Sequence, residues 1–178
     1  MRPNRIFNPG HLAIISVSLI LLFLLSSATL KSQTPINFSG KWTYDKTKST
    51  PGTNNAQYNG TLVRQITQTA STIAFRDIFT QNGTNGYTSS DNVFNLDGKD
   101  EVDKSDPNVT LTKSLKWSQG NKSFTLSYKT TYIDEGKSKE ILINETYMLS
   151  EDGKTLTIVG FNKAELGETK TTNVYHKK

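Results

Sequence analysis

From Phe38 to the end of the chain, apolar residues recur at every second position, and the alternation is broken by short turns rich in glycine and asparagine. Val109, Leu111, Leu115 and Trp117 share one face of a run over Val109–Ser118. Phe124, Leu126, Tyr128 and Tyr132 do so over Ser123–Tyr132, and Ile141, Ile143, Tyr147 and Leu149 over Ser138–Leu149. A period of two is the signature of a strand with one buried face. Lys41–Asp45, Thr61–Thr69, Thr72–Phe79, Tyr87–Leu96, Thr155–Phe161 and Glu168–His176 follow the same rule, which brings the count to about nine strands. The breaks fall at Ala70-Ser71, Asn82-Gly83, Asn85-Gly86, Gln119-Gly120-Asn121, Glu135-Gly136 and Asp152-Gly153-Lys154. Two stretches carry no strand pattern, the loop Lys46–Asn59 and the acidic loop Asp97–Asn108. A loop as long as the first, inside a compact domain, serves as a lid, a binding loop or a disordered segment.

No helical period appears after residue 33, and the opposite strand faces are polar and rich in threonine. This predicts an all-β, antiparallel, up-and-down β-barrel of about eight to ten strands, because closure removes the aggregation-prone edges of such a meander. A two-sheet sandwich is the rival way to bury the same faces.

The first 33 residues differ in kind. Arg2, Arg5 and His11 precede an almost unbroken apolar run, Leu12 to Leu25, followed by Ser26, Ser27 and Ala28. That order predicts an N-terminal apolar signal helix within residues 1–33, with a mature domain over 34–178 and export to the periplasm or beyond. The alternative is an uncleaved membrane anchor over residues 12–30, since the run approaches the ~20 residues that span a bilayer. The net charge of +5 belongs mostly to this leader. Three of the 21 basic residues and none of the 16 acids precede Thr34, leaving 18 basic against 16 acidic residues in the mature chain. The basic residues form no stripe, so no nucleic-acid partner is expected. The absence of cysteine removes disulfides, thiolate metal sites, catalytic thiols and a lipid-modified anchor.

The stretch Asn37-Phe38-Ser39-Gly40-Lys41-Trp42-Thr43-Tyr44-Asp45-Lys46-Thr47-Lys48-Ser49 resembles the opening of bacterial secreted lipocalin-like domains, with Ser-Gly-x-Trp followed by an Asp and a Lys-Ser. Asn95-Leu96-Asp97-Gly98-Lys99, the Trp117 strand end and the run from Glu145 to Thr157 resemble later landmarks of the same group. The resemblance implies a calycin-type barrel with a mouth and a closed end. Animal lipocalins usually set a late arginine against the first-strand tryptophan; this last strand offers Lys170, Lys177 and Lys178 instead. We expect Gly40, Trp42 and Trp117 to be structural core, with Trp42 plugging the closed end.

Several charges break the apolar phase. Arg64 is in phase with Leu62 and Ile66, Asp77 with Phe75 and Phe79, Lys113 with Leu111 and Leu115, and Glu145 with Ile143 and Tyr147. A lone buried charge is costly, so these groups need partners, solvent or a ligand. If the first hairpin turns at Ala70-Ser71, Arg64 faces Asp77 across the ladder, about 5 Å apart at Cβ. Such charges either fix the register of the barrel or line a semi-polar cavity. In the second case Arg64, Asp77, Lys113, Glu145, Tyr128 and Tyr147 are the ligand-binding residues.

Other chemistry is sparse. His176 is the sole imidazole after residue 33, and no phosphate loop or metalloprotease motif occurs. The acids of the second loop lack the spacing of a calcium site. The expectation is a non-enzymatic, exported module without cofactor, metal or catalytic residues, binding a small hydrophobic or amphipathic ligand. Its rival is a structural or surface-interaction domain whose barrel is filled by its own side chains. Membrane contact is expected only through an uncleaved leader, and the sequence sets no oligomeric state.

Overall fold

A computed structural model describes residues 34–50, 60–81 and 84–178. The leader, residues 51–59 of the long loop and the Asn82-Gly83 turn lie outside the described residues. Eleven strands follow one another: β1 (Gly40–Tyr44), β2 (Gly60–Gln68), β3 (Thr72–Gln81), β4 (Thr84–Thr88), β5 (Asn92–Asn95), β6 (Glu101–Asp103), β7 (Val109–Trp117), β8 (Ser123–Asp134), β9 (Lys137–Leu149), β10 (Thr155–Ala164) and β11 (Gly167–Lys177). Every pairing is antiparallel, and no helix occurs among the described residues.

The sheet runs β4-β3-β2-β1-β11-β10-β9-β8-β7-β6, with β5 beside β4 on the edge of β3. The short β1 is the keystone. It pairs with β2 on one side and β11 on the other, so the first and last strands of the meander are neighbours. The expected up-and-down order holds, but the expected full closure does not. No backbone ladder joins β4 or β5 to β6 or β7. Side chains cross that seam instead. Lys113 Nζ on β7 donates to the Val93 carbonyl on β5 at 2.7 Å, and Asn95 Nδ2 on β5 donates to Glu101 on β6 at 2.9 Å.

The two extra strands have local causes. The expected strand Tyr87–Leu96 breaks into β4 and β5 at Ser89–Asp91. The break is anchored to β3: the amide of Ser89 donates to the Asp77 carbonyl, and the Asp77 amide donates to Ser89 Oγ. Asp91 then receives a two-pronged bond from Arg76 at 2.7 and 2.8 Å. Asn85-Gly86 is not a turn but part of β4, where Gly86 sits at a bulge; a Cβ there would lie 3.1 Å from the Phe79 ring. β6 forms within the acidic loop, whose carboxylates are taken up locally. Asp97, Asp103 and Asp106 accept amides of their own turns, while Asp100 and Glu101 pair with Lys116 and Lys113.

One end of the sheet cylinder is plugged by the segment before β1. Phe38 is fully buried, edge-on to Phe124 at 4.7 Å and near Trp117 at 6.1 Å. Gln68, at the end of β2, clasps this segment: its side chain accepts the Phe38 amide and donates to the Ile36 carbonyl, and its own amide donates to Ser39 Oγ. Trp42 is fully buried, as expected, and its indole donates to the Phe38 carbonyl at 3.0 Å. Lys177 supplies the cation above it, with Nζ 5.3 Å from the ring. Gly40 adopts a φ of +150°, and a Cβ there would meet the Lys177 stem at 3.2 Å. Trp117 is only partly buried, packed against the core from its rim. The Asp45–Ser49 turn fastens β11, since the Val174 amide donates to Ser49 Oγ and His176 meets Asp45 at 2.9 Å.

Candidate functional site

Above the plug, the interior becomes polar. Arg64 on β2 and Asp77 on β3 are direct cross-strand partners, in the register expected from an Ala70-Ser71 turn. Their pair is two-pronged: Arg64 Nε and Nη2 donate to the two Asp77 carboxylate oxygens at 2.8 and 2.7 Å. Arg64 Nη1 reaches across the interior to donate to the Tyr147 hydroxyl at 2.8 Å. That hydroxyl donates in turn to Glu145 Oε2 at 2.9 Å. Tyr147 and Glu145 lie two residues apart on β9 and share its inner face. The chain Asp77–Arg64–Tyr147–Glu145 thus links β2, β3 and β9.

Electrostatics favour this proton order. Burial works against the Arg64 charge, but Tyr147, Tyr175 and Asp77 outweigh it and hold the guanidinium well above its ordinary value. Burial pushes the Tyr147 phenol well up, although the Arg64 charge acts against it, with the Glu145 carboxylate adding to the rise. Burial also raises Tyr128 and Tyr175 to about 12 each. All three phenols are therefore protonated at neutral pH, and the Arg64 side chain, 16% exposed, is a fixed cation.

These groups line a cavity of about 450 Å³. Its apolar walls come from Phe75, Leu111, Leu126 and Ile143, and its polar ones from Arg64, Asp77, Glu145, Tyr128, Tyr147, Thr130, Ser89, Ser90 and Asn92. Tyr128 is fixed by Asn92, whose amide donates to its hydroxyl at 2.6 Å, and by Phe94, edge-on at 5.4 Å. A second cavity of about 430 Å³ lies toward the opposite end from the plug, against Tyr44, Leu62, Phe79 and Tyr87. Asp77 borders both cavities.

Five of the six residues expected to bind ligand therefore converge. Lys113 stands apart. Its ammonium is committed to the seam, bonded to the Val93 carbonyl, paired with Glu101 at 3.4 Å and 5.1 Å from the Phe94 ring. Ser89, Ser90 and Asn92 were not legible as site residues, because they enter only where the β4–β5 break turns the chain inward. Among the described residues, no three His, Asp or Glu side chains converge as a metal site.

No protein-family model matches the chain, and no curated protein sequence matches it. Among solved structures, it is similar to the crystal structure of zebrafish ileal bile acid-binding protein complexed with cholic acid. The identity is 15%, the TM-score 0.47, and the likeness covers 79% of this chain and 98% of that one. A likeness at that level leaves the site to be judged on its own residues.

Proposed function

We propose that this chain is an exported, lipocalin-like module that binds a small, partly apolar ligand inside its barrel and performs no catalysis. One observation carries the proposal: a cavity of about 450 Å³ in which four apolar side chains meet a convergent set of charged and phenolic groups. Ligand sites for small molecules have this volume and set apolar and aromatic walls beside convergent polar groups. Export is supported by the order of basic, apolar and small residues over 1–28.

A second reading has its own observation. Both Asp77 oxygens and three Arg64 nitrogens are satisfied within the protein, as in a network whose task is to fix strand register. The two readings diverge under titration with a neutral, environment-sensitive naphthyl dye. The binding reading predicts saturation at one dye per chain and, in Leu111→Trp, affinity lower by about tenfold or more with an unfolding midpoint close to wild type. Absence of saturable binding favours the structural reading.

A further inference from the structure

We infer that the ligand of this cavity is an organic cation: an amine or ammonium group on an apolar or aromatic body, docked on Glu145. The inference rests on the binding reading above and adds the chemical class.

One guanidinium, Arg64, faces two carboxylates, Asp77 and Glu145. The guanidinium is already spent, because Asp77 takes it through both oxygens at 2.7 and 2.8 Å and Tyr147 takes a third nitrogen. Glu145 lines the cavity and receives a single hydrogen bond, from Tyr147 to Oε2. Lys113, in the inward phase of β7, is held at the seam by Glu101 and the Val93 carbonyl.

A carboxylate ligand would bring a third anion to one occupied guanidinium. A neutral ligand would leave Glu145 desolvated with one donor. A monocation gives two positive and two negative groups, each with an opposite partner, and a buried charge is tolerated on those terms. The walls suit the rest of such a molecule. Phe75, Tyr128 and Tyr147 offer aromatic surface to a cation, and Leu126, the cross-strand neighbour of Glu145, offers apolar surface to its body.

The test uses three probes sharing one naphthyl body: 2-(1-naphthyl)ethylammonium, 2-(1-naphthyl)ethanol and 1-naphthylacetate. Each is titrated calorimetrically into the full chain at pH 7. The expected order is ammonium over alcohol by about tenfold or more, with acetate weakest. Glu145→Gln should bring ammonium and alcohol within about threefold of each other. The wild-type order decides the question even if that variant fails to fold. Equal binding of all three, acetate binding tightest, or an ammonium preference that survives Glu145→Gln overturns the cation assignment and leaves the cavity reading standing. No binding of any probe overturns both.

Discussion

The Arg64–Asp77 pair sets the energetic scale for single residues. Removing one partner strands the other, and the Arg64 and Asp77 side chains are only 16% and 32% exposed. Breaking a buried pair from one side costs several kcal/mol, and partial exposure discounts this. Arg64→Met should therefore destabilise by about 2–3 kcal/mol, and adding Asp77→Leu should recover part of the loss. Urea denaturation of the two single variants and the double variant checks this, and additive effects would mean that the charges act separately. Asp45 makes a pH-dependent prediction. The Thr47 hydroxyl, with His176 second, holds its carboxyl down from 3.8 to about 2. A depressed carboxylate contributes stability above its unfolded value and loses it as pH falls through the folded one. Asp45→Asn should thus be less stable than wild type at pH 7, with the gap closing between 3.8 and about 2. A gap that stays constant down to pH 2 would contradict the assignment.

At the scale of elements, the plug and the seam hold the cylinder. Phe38 and Trp42 are fully buried large aromatics at one end, so Phe38→Ala and Trp42→Ala should each cost about 3–5 kcal/mol by chemical denaturation. A midpoint equal to wild type would remove either from the core. The seam depends on side chains alone. Lys113→Met should therefore speed amide exchange across Asn92–Asn95 by about tenfold while leaving β8 and β9 unchanged. Uniform exchange behaviour would show that Lys113 holds nothing there. Much of this level was legible in advance, because alternation of apolar residues marks strands: β7, β8 and β9 run over nearly the expected residues. The Arg64–Asp77 register was legible because a two-residue turn fixes every pair behind it. The plug and clasp were not, since Phe38 lies before the first strand and is buried by contacts distant in sequence, and Gln68 acts through bonds to that same segment. The break between β4 and β5 was hidden for a similar reason: Tyr87–Leu96 alternates well enough, and only bonds to Asp77 and Arg76 interrupt it.

On the scale of the whole molecule, the described domain is a meander whose first and last strands meet at β1 and whose interior grades from an aromatic plug to a charged cavity. The phase-breaking charges foretold that gradient, since a sheet interior rarely accepts Arg, Asp and Glu without a use for them. They did not foretell which charge would leave the interior, because Lys113 has a long stem and its ammonium finds acceptors at the seam. The most direct test is an amide NMR titration of the isotope-labelled chain with the neutral probe 2-(1-naphthyl)ethanol. An interior site predicts saturable shifts confined to residues around Arg64, Asp77, Ser89–Asn92, Leu126–Thr130 and Ile143–Tyr147. Shifts gathered instead around outward-facing apolar residues such as Val102, Ile133 and Val159, or no saturable shifts at all, would contradict it.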